Sequence, residues 1–340
     1  MSTPAGSRTL AADLVLEGGG VKGVALVGAV AELAAAGYRF PRVAGTSAGA
    51  LVGCVVAALQ RAGEDLSRLE TIARTLDYTK FADRGLPWKL LGPLAVASDG
   101  ITIALDDGVY RGDYFRDWVS GVLSDLGVRT FGDLRTNDPR GESDVTYRYR
   151  LVVTVSDVSR KRLAQFPWDY VEYGLDPDEQ SVADAVRASG SIPFFFDPVT
   201  LTGVHGTSTL VDGGLLSDYP IDIFDALGEL PARRPTFGVR LDALRIGRTE
   251  GPVQPVHGPV ELAVALIETA LEGGQAEHVL NPCNVARSIN VDTGGISGTD
   301  LSLSAEQRDQ LLTAGHVAAR TFLASWDFDS WLVRCRRGRA

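Results

Sequence analysis

The fold is decided by Asp13-Leu14-Val15-Leu16-Glu17-Gly18-Gly19-Gly20-Val21-Lys22-Gly23 and, further on, by Arg42-Val43-Ala44-Gly45-Thr46-Ser47-Ala48-Gly49. Asp13–Leu16 is a short apolar run that reads as a buried strand, ended by Glu17 and a triple glycine. The residues from Val21 to Ala36 are rich in Ala, Val and Leu and stop at Gly37, a helix C-cap signal. Arg42–Ala44, entered through Pro41, reads as a second strand, and Ala48–Ala62 as a second helix closed by Gly63. Strand, helix, strand, helix with nearly unbroken apolar character predicts an α/β fold whose parallel sheet is covered on both faces.

Working outward, Arg150–Asp157, Thr209–Val211 and Phe237–Leu241 read as further strands. Val260–Glu272 reads as a helix, with Glu261, Glu268 and Glu272 on one side and Leu262, Leu266 and Ile267 opposite. Ser304 with Gln307 three residues later is a capping box, opening a last helix with Leu311, Ala318, Phe322 and Trp326 in one stripe. The 340 residues are 45% hydrophobic and 22% charged, enough apolar material for a large core. A net charge of −10 argues against non-specific nucleic-acid binding. Cys54, Cys283 and Cys335 offer no disulfide framework and no CxxC metal pair, so a reducing, cytoplasmic location is expected. No signal-peptide pattern opens the sequence, and the longest apolar run, Ala48–Leu59, is too short to span a bilayer.

The chemistry starts at Gly45-Thr46-Ser47-Ala48-Gly49, a G-x-S-x-G string at a strand–helix junction. A serine on such a sharp turn projects clear of the backbone, next to a helix N-terminus that favours developing negative charge. Gly18–Gly23 also fits G-x-G-x-x-G, the dinucleotide spacing. That reading needs an acidic residue closing the second strand, where this chain has the Gly45–Gly49 turn, and no G-K-[ST] follows for a P-loop. The same glycines at a helix N-terminus make an oxyanion hole, and adjacent strands would bring them beside Ser47. For a base, none of His205, His257, His278 and His316 lies in an evident post-strand loop, although His257, between prolines, stays open. Asp212-Gly213-Gly214, delivered by a strand, is the stronger candidate, yet taken alone it reads equally well as a D-G hairpin turn.

Jointly, Gly18–Gly23, Gly45–Gly49, Ala188-Ser189-Gly190-Ser191-Ile192-Pro193 and Asp212–Gly214 resemble the patatin-like phospholipases in order and spacing. The resemblance implies a three-layer α/β/α sandwich with a mostly parallel sheet. It implies Ser47 as nucleophile, Asp212 as base, and backbone N–H groups of Gly18, Gly19 and Gly20 as oxyanion hole. Gly23, Gly45, Gly49, Gly213 and Gly214 complete the motifs. It also implies a lipid or phospholipid substrate, transient membrane contact, and neither metal nor cofactor. Ser217-Asp218-Tyr219-Pro220 departs from the pattern, since many relatives carry asparagine there. The resemblance covers residues 12–225; residues 226–330 are expected to pack on the same domain and 331–340 to form a frayed basic tail. The apolar stretch Gly85–Val96 reads as a lipid contact or lid, or as an ordinary packed excursion. A histidine-dependent hydrolase of soluble esters and a non-enzymatic lipid-binding module are the alternatives.

Overall fold

The run Asp13–Leu16 forms strand β2 over those four residues, all buried. The computed structural model describes residues 10–81, 83, 110–225, 234–241, 281–298 and 300–336, with 262, 265, 266, 269 and 270 between them. A short strand β1 (Leu10–Ala11) precedes it and pairs with β3 (Tyr38–Arg39). Helix α1 (Gly23–Ala35) follows a 3-10 turn at Gly20–Lys22. Strand β4 (Val43–Thr46) and helix α2 (Ala48–Ala62) complete the unit that the sequence predicts. α2 has the bounds read from the sequence, Ala48–Ala62, with Gly63 left-handed at its C-cap.

Next come α3 (Arg68–Ala73), α4 (Asp113–Asp125), β5 (Leu151–Asp157), β6 (Arg162–Phe166) and α5 (Val182–Ser189). The hairpin β7 (Val199–Gly203) and β8 (Gly206–Asp212) follows. The chain closes with β9 (Thr236–Leu241), α6 (Pro282–Val285), β10 (Ser288–Val291), α7 (Ala305–Ser325) and α8 (Phe328–Arg336). β10, β9, β2, β4 and β5 pair in parallel in that order. β6 and β8 pair antiparallel with β5, and β7 with β8. Helices cover both sides of this mixed sheet, as an α/β/α sandwich requires. β2, β4 and β5 are buried along their whole length, which explains their largely apolar sequences.

The C-terminal third builds the same sheet, because β9 lies between β2 and β10. Arg234 and Arg42 both bond Asp13 at the start of β2, at 2.8 and 2.5 Å. The capping box at Ser304 forms as predicted, and Phe322 and Trp326 meet Phe237 edge-on, with ring centroids 5.2 and 5.1 Å apart. Two expectations are corrected. Cys283 and Cys335 form a disulfide across 52 residues, a pairing that sparse cysteines could not reveal. The basic tail is helical through Arg336, because Trp331 is buried and its indole N–H donates to Cys283 O at 3.0 Å. Cys54 does pack as a hydrophobe, its thiol pushed up to about 12 by burial. Within the expected helix Val260–Glu272, the described positions Leu262, Ala265, Leu266, Thr269 and Ala270 are helical; its other residues lie outside the description. Gly85–Val96, His257 and His278 lie outside it altogether. Among the described residues, no helix is long and apolar enough to cross a membrane.

Candidate active site

Two strands meet end to end on one edge of β5. Val153 and Thr154 pair with both β4 and β6, while Val155, Ser156 and Asp157 pair with both β6 and β8. A strand has only two edges for pairing, so β4 and β8 share the edge opposite β6. β4 stops at Thr46, opposite Thr154, and β8 arrives from the other direction at Asp212, opposite Val155. The chain leaving β4 therefore faces the chain leaving β8, and Ser47 and Asp212 come together from distant parts of the sequence. A hydrogen bond of 2.6 Å joins the hydroxyls of Thr46 and Thr154, and Thr46 Oγ1 donates to Ser217 O at 3.1 Å, tying the junction to the turn after Asp212.

Ser47 sits at φ 52° and ψ −119°, backbone that a side-chain-bearing residue rarely adopts. Two features hold it there. Its N–H donates to Ser189 Oγ at 2.8 Å, and that hydroxyl donates to Thr154 O at 2.7 Å. Packing does the rest: a Cβ at Gly49 would stand 2.2 Å from Leu16 O, and one at Gly45 would stand 2.3 Å from Gly49 O. β2, β4 and the first turn of α2 thus approach too closely for any other residue type. Gly23 opens α1 against Ala48 in the same way.

Asp212 is 1% exposed. Its Oδ1 accepts the Gly214 N–H at 2.8 Å, so the Asp-Gly-Gly segment is a 3-10 turn over Gly213–Leu215 and not a hairpin tip. Its Oδ2 is buried without a hydrogen-bond partner. Burial pushes the carboxyl up to about 6, opposed in part by the Ser47 hydroxyl and the Gly214 amide. The Ser47 hydroxyl is thus near enough to influence Asp212, yet not within ordinary hydrogen-bond geometry of it.

The glycine loop lies alongside. The Gly18 N–H donates to Asp218 O at 3.2 Å, so this amide is already engaged. The amides of Gly19 and Gly20 have no acceptor among the described residues, and these glycines have φ 153° and 57°. Successive unpaired N–H groups in such a turn make a concave anion site. The Val21 N–H bonds Gly298 O at 2.8 Å, which brings the C-terminal third into the site.

Asp218 is half-buried, with its carboxyl turned inward onto Gly18, next to Ser47 Cβ. Burial first, then the charges of Glu17 and Asp212, push it well above the usual carboxylate range. Burial raises Glu17 too, against the pull of Arg240 and the Leu241 N–H.

Ser47 opens onto an apolar cleft walled by Leu51, Tyr78, Phe81, Phe115, Phe196 and Leu301. The two described histidines are elsewhere. His316 lies between the carboxylates of Glu32 and Glu70, at 3.1 and 3.0 Å, and His205 is exposed in the β7–β8 turn. Among the described residues, no three His, Cys, Asp or Glu side chains are grouped as metal ligands. Sequence reasoning left the Ala188–Pro193 block without a role; Ser189 is its contribution here. Arg187, beside it, is buried and binds the carbonyls of Arg111, Gly112 and Asp197, locking the Tyr110–Asp113 segment onto α5. Gly298 and Leu301 carried no sequence signal.

The patatin-like phospholipase family matches residues 14–225. An uncharacterized protein, YqhO, of Bacillus subtilis (strain 168) is 33% identical over 319 residues, covering 93% of this chain and 99% of its own. An uncharacterized NTE family protein of Mycobacterium tuberculosis is 28% identical over 213 residues, 63% of this chain but only 28% of that longer protein. Among solved structures, VipD from Legionella pneumophila is 18% identical with a TM-score of 0.49, covering 92% of this chain and 67% of that one. The ExoU–SpcU complex of Pseudomonas aeruginosa gives 21% and 0.41, covering 94% and 53%. The chain belongs to the patatin-like phospholipase family.

Proposed function

We propose that this chain is a serine acyl-hydrolase of lipid esters in which Asp212 alone serves Ser47 as base. The supporting observation is the buried Asp212 Oδ2, unpartnered and beside a strained serine at the same end of β5. Ser47 Oγ attacks the acyl carbonyl carbon and its proton passes to Asp212 Oδ2. The carbonyl oxygen becomes an oxyanion, held by the amides of Gly19 and Gly20 and the N-terminus of α2. Collapse breaks the bond to the leaving oxygen, which takes the proton from Asp212 and departs as the alcohol. Water then attacks the acyl-enzyme and gives a proton to Asp212; the bond to Ser47 Oγ breaks, Oγ takes that proton back, and the fatty acid leaves with Ser47 and Asp212 restored. A carboxyl at about 6 is largely ionised at neutral pH yet more basic than an ordinary aspartate, which suits this task.

The lipid assignment rests on family membership and on the apolar cleft at Ser47. A phospholipid at a membrane surface is the natural substrate form, and transient membrane contact follows from it. The test is hydrolysis of a mixed lipid extract read by mass spectrometry. Wild type is expected to release fatty acids, while Ser47→Ala and Asp212→Asn lose at least ~10³-fold in rate, the scale of removing a nucleophile or its base. Full turnover by Ser47→Ala would exclude the proposal. Loss on His257→Ala with Asp212→Asn active would point to a histidine-dependent hydrolase. Lipid binding without turnover would point to a binding module.

A further inference from the structure

The turn after Asp212 brings a second carboxyl to the nucleophile. Ser217 O accepts from Thr46 Oγ1, Asp218 O accepts the Gly18 N–H, and the hydroxyls of Tyr219 and Ser288 share a hydrogen bond of 2.6 Å. Asp218 and both its neighbours are therefore tied down. Its side chain points at the glycine loop: a Cβ on Gly18 would stand 2.0 Å from Asp218 Oδ1 and 3.3 Å from Ser47 Cβ. The carboxyl and the serine thus close on the same point. Glu17, just past β2, has a cation, with Arg240 Nε 3.1 Å from its Oε1. Asp218 makes no ion pair among the described residues. The carboxylates of Glu17 and Asp212 face it and oppose its charge, while the Gly18 amide and the Lys22 ammonium favour it. Burial and the two carboxylates outweigh these, so Asp218 is held well above the usual carboxylate range. Carboxyl groups that share a site do not all ionise together, and the environments assign the proton.

We propose that Asp218 controls Ser47 by staying protonated: it carries the proton of this acidic group, leaves Asp212 as the base, and shuts the site down when it ionises. This rests on the reading of Ser47 and Asp212 as nucleophile and base. As the neutral acid, Asp218 adds no charge beside the reacting atoms. As the carboxylate, it sets a fixed negative charge against the loop whose Gly19 and Gly20 amides meet the oxyanion. That charge opposes the one developing in the transition state. Asp218 is only half-buried, so it can exchange its proton with solvent while the protein stays folded. The rate then depends on two carboxyls with opposite requirements, Asp212 ionised and Asp218 protonated, which gives a bell-shaped profile.

The experiment follows kcat/KM for p-nitrophenyl butyrate against pH with the full chain, each profile scaled to its own maximum. Wild type is expected to rise through about 6, hold a plateau, and fall ~10-fold or more on the alkaline side, reversibly. Asp218→Asn, neutral at every pH, is expected to keep the rise and lose the fall. Glu17→Gln removes one of the opposing charges, so its fall is expected at lower pH than in wild type. The scaling cancels any loss of folded enzyme, and Glu17→Gln decides the matter if Asp218→Asn does not fold. A wild-type profile without the fall, the same fall in Asp218→Asn, or an unmoved fall in Glu17→Gln would overturn the proposal and leave the hydrolase intact. A second readout needs no turnover: the infrared band of a protonated carboxyl at neutral pH, expected in wild type and missing in Asp218→Asn. If no ester is cleaved at any pH but the band behaves so, Asp218 holds its proton and the hydrolase reading falls. If the band is the same in both proteins, the proposal falls.

Discussion

Asp212 owes its character to where the fold puts it. An aspartate in an Asp-Gly-Gly string is an ordinary turn residue by sequence, and nothing in the string says that its second oxygen is buried and unpaired. The cost is measurable. A folded-state value near 6 against 3.8 when exposed means that the folded protein holds more protons than the unfolded chain between those values. The favourable contribution is present below the unfolded value and is lost as pH rises through about 6, amounting to about 3 kcal/mol. Asp212→Asn keeps an oxygen for the Gly214 amide and has no charge to desolvate. Urea unfolding is therefore expected to find the variant more stable than wild type at pH 8, with the difference shrinking towards pH 4. A variant less stable at pH 8 would mean that the carboxylate is stabilised where it sits.

Elements that bury both faces were legible, as was α7 through its capping box; several others that bury one face were not. Asp13–Leu16 and Ala48–Ala62 form where the sequence reads them, because burial there demands a nearly continuous apolar run. α4 and α5 interleave charges with Val and Phe, and β7 alternates partly buried and exposed residues, so their local signal is weak. The contact between elements was less legible still. Ser189 ends α5, accepts a hydrogen bond from the Ser47 amide and donates one to Thr154 O of β5, fixing three elements with one hydroxyl. Ser189→Ala is expected to lower kcat for a soluble ester about tenfold with little change in KM, since it loosens the turn that aims the nucleophile without touching the substrate. Equal kcat in variant and wild type would show that the glycine packing alone suffices. A raised KM instead would place Ser189 in substrate binding.

At the scale of the whole molecule, the family match ends at residue 225, but the folded unit does not. β9 lies between β10 and β2 among the parallel strands, Gly298 caps the glycine loop, and Leu301 walls the cleft. Residue spacing revealed the N-terminal motifs because each is local; the closing third is fixed by pairings across the chain that no local pattern records. The Cys283–Cys335 bond is one of these, pinning α8 to the helix before β10. Reduction, or Cys335→Ser, is expected to lower stability by about 2–4 kcal/mol for a loop of this length, read as a drop in Tm. An unchanged Tm under reductant would show that the burial of Trp331 holds α8 without the bond. The most direct test of the central claim is the pH dependence of Ser47 modification by a small fluorophosphonate, with the labelled residue identified by peptide mapping. If Asp212 takes the serine proton, the rate rises with pH through about 6 to a plateau, and Asp212→Asn abolishes both the rate and the rise. A rate that is flat across that range, or labelling of Ser47 that survives in Asp212→Asn, would contradict it.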